Sequence, residues 1–154
     1  MRILSVVLLL LLMSACAAPV VQKTPLEIQS MQTRDFEVDR NTAFRAVLSV
    51  FQDVGYIVES ADNETGFITG SSPTDSKTNF WTASRDSKTT RATAFVEELR
   101  PNVSRVRLTF VNAYSSSSSY GQYSEKDTVI LEPGAYASAF ERIENAIFVR
   151  TATQ

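Results

Sequence analysis

The chain predicts an α+β two-layer sandwich: a mostly antiparallel sheet of about six strands, in the order β-α-β-β-β-β-β-α, packed against two helices. Three observations predict it. Two stretches far apart in the chain carry bulky apolar residues at helical spacing, Phe44, Val47, Leu48 and Phe51 in one and Tyr136, Phe140, Ile143 and Ile147 in the other. Between them, apolar and polar residues alternate with period two in short segments separated by turn formers, the pattern of half-buried strands joined as sequential hairpins. The fold must also hold by its core alone, because the one cysteine, Cys16, has no partner for an intramolecular disulfide.

The first stretch, MRILSVVLLLLLMSACAAP, reads as an address rather than as part of the fold. Arg2 gives a positive start, Ile3 to Met13 is apolar apart from Ser5, and small residues follow, which is the form of a secretory signal. Two other readings exist. One is an uncleaved membrane span, since Ile3 to Val21 carries no charge, although Pro19 and the Ala-rich end oppose it. The other is a signal cut without lipidation, leaving Cys16 as a free or oxidised thiol. Met13-Ser14-Ala15-Cys16 resembles the lipobox of bacterial lipoproteins, with Met13 where Leu is the usual residue. The resemblance implies that Cys16 becomes the lipidated first residue of the mature chain. It also implies residence in the outer membrane, facing the periplasm, because Ala17 and Ala18 follow Cys16 and no aspartate marks retention in the inner membrane.

The expected organisation is a leader over 1–15, a lipidated tether over 16–31 and a single domain over 32–154. Pro19, Pro25 and the lack of sustained periodicity suit a tether, although Leu26 and Ile28 alternate with polar neighbours and also fit a short edge segment. Phe36 and Val38 alternate with charged residues in TRDFEVD, which predicts the first strand over Thr33 to Asp39. A helix over Asn41 to Val54 follows, with Asp39 or Asn41 to accept the first free amides and Gly55 just past the end. Tyr56 to Ala61 and Gly66 to Ser71 read as a hairpin around Asp62-Asn63-Glu64-Thr65, with Gly66 able to take positive φ.

Ser72 to Lys88 is polar and reads as a loop; its Phe80 and Trp81 either fold back over the core or mark a contact surface. Thr89 to Leu99 and Val103 to Ala113 predict a long hairpin. Ala92, Ala94, Val96, Val106, Leu108 and Phe110 lie on its buried face, and Arg105 and Arg107 lie on the wet face, within reach of Glu97 or Glu98. Tyr114 to Lys126, with five serines between Tyr114 and Tyr120 and Tyr123 beyond, is low in complexity and reads as a mobile hairpin tip. Asp127 to Leu131 is the last strand, with Val129 and Leu131 on one face. Pro133 suits the first turn of a final helix running to about Val149, whose apolar stripe Phe148 widens while Glu141, Arg142, Glu144 and Asn145 take the other side.

The order of elements resembles the helix-grip domain of the BamC type, in which an antiparallel sheet wraps a C-terminal helix. The stretch TRDFEVDRNTAFRAVLSVFQDVGYIVESADNETGFITG, with the closing FERIENAIF, is similar to a family of small uncharacterised bacterial outer-membrane lipoproteins. The resemblance covers core and turn residues and implies no catalytic set.

Composition narrows the function further. The chain has no histidine, which removes the commonest general base and metal ligand. Without residues 1–15, one of the 15 basic side chains (Arg2) and none of the 17 acidic ones is lost, leaving a side-chain charge of −3 and no basic patch for nucleic acid. No carboxylate pair or nucleophile sits in a recognisable catalytic motif, and no metal or cofactor is expected. The expectation is a non-enzymatic outer-membrane lipoprotein, bound to the membrane through lipid on Cys16 and acting on an envelope protein partner, with Phe80, Trp81, Tyr114, Tyr120 and Tyr123 as candidate contacts. The alternative is a periplasmic carrier of a lipid or small hydrophobic ligand. Its cavity would lie between the sheet and the C-terminal helix, with room left by Gly70, Ala92 and Ala94 unless Phe44, Phe51, Phe110 and Phe140 fill it.

Overall fold

The computed structural model describes residues 23–79, 84–118 and 121–152. The segment expected as a leader, and the expected tether up to residue 22, lie outside them. The chain forms α1 (Pro25–Gln32), β1 (Thr33–Phe36), α2 (Arg40–Asp53), β2 (Ile57–Asp62), β3 (Phe67–Ser71), β4 (Asp75–Asn79), β5 (Ser84–Arg100), β6 (Val103–Ser118), β7 (Tyr123–Val129) and α3 (Pro133–Ala152). The fold is α+β, as the sequence predicts, with an open antiparallel sheet of seven strands and helices against it. The strands run β1-β6-β5-β3-β2, β4 also pairs with β5, and β7 also pairs with β6.

The long hairpin β5–β6 is the spine. The half of β6 near its turn pairs with β1, Thr33 opposite Arg107, and the far half pairs with β7, Val111 opposite Val129. β5 is divided the same way, between β3 around Ala92 and Ala94 and β4 around Asp86 and Lys88. Pro73 breaks β3 from β4 because it has no amide to give the ladder. The Ser72 side chain fills the gap, its hydroxyl accepting from the Thr90 amide at 2.9 Å while the Ser72 amide donates to the Thr90 carbonyl at 2.8 Å.

Helix α2 starts at Asp39, whose carboxylate accepts from the Thr42 amide at 3.0 Å and the Thr42 hydroxyl at 2.6 Å. Gly55, past its end, takes φ 86°. Phe44, Val47, Val50 and Phe51 from α2, with Tyr136, Phe140, Ile143 and Ile147 from α3, pack on Ile68, Ala92, Ala94, Val96, Val106, Leu108 and Phe110. Each large side chain buried there contributes ~1.5–3 kcal/mol. Phe148 departs from expectation: it is 70% exposed, one position off the buried stripe. Gly66 is fixed by the hairpin, since at φ 81° any Cβ would run into the Val96 carbonyl.

Five elements differ from the sequence reading. Residues 25–32, expected as tether or edge segment, form α1, started by a capping box in which Thr24 and Glu27 each bond the other's amide. The predicted loop over Ser72 to Lys88 contains β4 and the start of β5. The predicted tip over Tyr114 to Lys126 contains the end of β6 and the start of β7, and Leu131 lies beyond that strand. These strands have no apolar face, so period-two patterning could not reveal them; they form because an established ladder offers their backbone partners. Arg105, opposite Glu97, instead forks onto Asp35 of β1, at 2.7 and 2.9 Å.

Candidate functional site

The sheet has a covered half and an uncovered half. Beyond Ala92 and Phe110, β4, the start of β5, the end of β6 and β7 continue as a four-stranded extension in which no described side chain is buried. Its ladder runs without a break from Thr90 opposite Asn112 to Ser84 opposite Ser118, and from Val111 opposite Val129 to Ser117 opposite Tyr123. Cross-strand polar pairs supplement it. Asp75 stands opposite Lys88 and Lys77 opposite Asp86. The Thr90 hydroxyl reaches Asn112 Oδ1 at 3.0 Å, and Arg91 pairs with Asp127 diagonally across β6. Both members of that ion pair are nearly half exposed, so it contributes under ~1 kcal/mol.

The predicted contact residues divide between described and undescribed positions. Cys16, Phe80, Trp81 and Tyr120 lie outside the described residues. Tyr114 is on β6 and Tyr123 opens β7; they are 41% and 68% exposed. The register does not bring them together. Tyr114 shares the face of Phe110, with Lys88 Nζ 5.5 Å from its ring centre, whereas Tyr123, opposite Ser117, is on the other face. The Tyr123 hydroxyl donates to Glu125 at 3.2 Å, and that bond to a carboxylate raises its pKa. The described residues next to segments 80–83 and 119–120 share one end of the extension, since Asn79 is opposite Ser84 and Ser84 is opposite Ser118.

Among the described residues the outer edge of β7 has no strand beside it. Glu125, Lys126 and Asp127 put charge along that edge, which opposes indiscriminate edge pairing.

A second feature lies on the covered half. A cleft of about 200 Å³ opens between the end of α2, the middle of β6 and the first turns of α3. Its walls are apolar, built from Val50, Phe51, Val54, Leu108, Phe110 and Ile143. Tyr56, Ser138 and Arg142 bring polar groups to it. Partial burial raises the Tyr56 pKa, so its phenol stays protonated and able to donate. Gly70, Ala92 and Ala94, where the sequence suggested room, do not line this cleft: both alanines are buried, and the Phe51 ring lies 3.6 Å from where a Cβ on Gly70 would sit. Arg142 and Tyr56 were missed as site residues. Arg142 falls on the polar side of a helix, and nothing in sequence spacing places Tyr56 beside it. No helix among the described residues is long and apolar enough to cross a membrane.

Neither a protein-family model nor a curated protein matches the chain. Among solved structures it is similar to a DUF4468 family protein from Bacteroides ovatus, at 9% identity and a TM-score of 0.40, covering 75% of this chain and 84% of that one. It is also similar to a TBP-like protein from Parabacteroides distasonis, at 12% identity and a TM-score of 0.37, covering 73% of this chain and 91% of that one.

Proposed function

We propose that this protein is a non-enzymatic outer-membrane lipoprotein, held through lipid on Cys16 and acting by protein–protein contact on the periplasmic side. The observation that supports contact is the four-stranded extension. A sheet with no buried side chain among its described residues adds almost nothing to a core, yet here it continues both strands of the central hairpin. Among the described residues it also leaves the β7 edge without a neighbouring strand, so that its amides and carbonyls can pair with a partner segment, the charges along it admitting only a complementary sequence.

The test is photo-crosslinking in cells from the full chain, with the reactive residue at Tyr123 or, as a control, at Glu144 on α3. A discrete envelope-protein adduct is expected from Tyr123 and not from Glu144. Equal patterns from both positions, or none from either, end the contact reading. The anchor is tested separately by fatty-acid labelling, which Cys16→Ala should abolish.

A second reading, carriage of a small hydrophobic ligand between the sheet and the C-terminal helix, is favoured by the apolar cleft beside Phe110 and Ile143.

A further inference from the structure

We infer that the cleft between α2, β6 and α3 takes a small monocarboxylate with an apolar body, the body seated against Phe51, Val54, Leu108 and Phe110 and the carboxylate at Arg142. This rests on the carrier reading and narrows it.

Size sets the first limit. A dry apolar cavity of roughly 150 Å³ accommodates benzene, and ligand pockets for drug-sized molecules start at about 300 Å³. At about 200 Å³ the cleft suits one ring or a short alkyl chain, not a phospholipid.

Polarity sets the second. The lining is overwhelmingly apolar, and its charged residue is Arg142. Arg142 has no ion-pair partner among the described residues. It also lines the adjoining groove between α2 and α3, together with Asp53. A planar guanidinium recognises a carboxylate through paired donors. Ser138, one turn before Arg142 on α3, and Tyr56 also line the cleft and carry hydroxyl donors. A neutral hydrophobe would leave these donors facing water without gain, and a cation would meet repulsion.

The full chain in lipid nanodiscs, with empty discs as the blank, is titrated with 4-fluorobenzoate and with 4-fluorobenzyl alcohol and followed by fluorine NMR. The benzoate is expected to bind saturably and more tightly than the alcohol. Arg142→Gln, an exposed change that leaves the core intact, should weaken the benzoate roughly tenfold, the worth of a charge-assisted hydrogen bond, and leave the alcohol within about twofold. Ala139→Leu, which fills the cleft, should remove both. Alcohol and benzoate binding equally, or Arg142→Gln weakening both alike, overturns the carboxylate assignment while the carrier reading stands. No saturable binding of either probe up to ~10 mM, or binding that persists in Ala139→Leu, overturns both.

Discussion

The two halves of the β5–β6 hairpin share one ladder and differ in almost everything else. From Ala92 to Val96 and from Ser104 to Phe110, alternate side chains are buried under α2 and α3. From Arg85 to Arg91 and from Val111 to Ser118, the same backbone carries mostly serine, threonine and charge, and no described side chain is buried. Main-chain hydrogen bonds are made equally in both. What separates the halves is apolar area removed from water, worth ~25 cal/mol per Å², and that is where the stability of the molecule resides. The covered half is built to stay folded; the extension depends on it and is left with its surface available.

The widest separation is expected from a pair of aromatic truncations followed by denaturant unfolding. Phe140 is 2% exposed and packs on Phe36, so Phe140→Ala should lose about 3–5 kcal/mol. Tyr114→Ala, in the extension, should stay within about 0.5 kcal/mol. Similar losses would show that the extension carries a core of its own.

A pair of glycines tests the same contrast in the backbone. Gly66 and Gly121 both have positive φ, 81° and 78°. A Cβ on Gly66 meets the Val96 carbonyl, whereas one on Gly121 meets nothing within 4 Å. Gly66→Ala should destabilise by roughly 1–3 kcal/mol or more, and Gly121→Ala by about 1 kcal/mol, the conformational strain alone. Thermal melts of the two variants measure the difference.

Tyr136 joins the halves. Its buried hydroxyl donates to the Ile130 carbonyl at 2.9 Å and accepts from the Phe110 amide at 3.4 Å and from Gln32 at 3.3 Å. It thereby ties the segment after β7, the central strand and α1 to α3. Tyr136→Phe leaves these groups unpaired, with an expected loss of about 1–3 kcal/mol. Amide exchange should accelerate at Ile130 and Phe110 before it does at Ala94.

The smallest effect concerns a cap on the covered half and is dependent on pH. Hydrogen bonds from the Thr42 side chain, and then from its amide, hold the Asp39 pKa below the usual carboxylate value. A carboxylate with a lowered pKa in the folded state adds stability above its unfolded pKa and loses it as pH falls through the folded one. Asp39→Ala should therefore cost about 1 kcal/mol at neutral pH, and the gap from the parent should narrow as pH falls below ~4. A constant gap would show that the cap acts without its charge.

The sequence was most readable where burial imposes a period. Phe44, Val47 and Phe51, and Tyr136, Phe140, Ile143 and Ile147, marked the two main helices, and Val106, Leu108 and Phe110 marked the inner face of the hairpin. The reading failed where no face is buried. Asp75 to Asn79, Ser115 to Ser118 and Tyr123 to Lys126 are strands whose side chains carry no apolar alternation, because their order comes from pairing with a neighbour rather than from their own burial. The candidate sites divide likewise. Tyr114 and Tyr123 stood out as exposed aromatics, but only the register shows that they face opposite ways. Arg142 and Tyr56 are 86 positions apart in the chain and gain meaning only from sharing one cleft.

By itself, then, the sequence determined the class of fold, its two main amphipathic helices and the turns at Gly55 and Gly66, all of them local patterns in which a residue's type dictates its surroundings. Tertiary structure decided how far β5 and β6 run past the helices, that Arg105 turns to Asp35, and where a cleft opens between α2, β6 and α3. Those are long-range outcomes, set by which backbone edges and which packed faces meet in space, and a linear pattern of hydrophobicity carries no record of them.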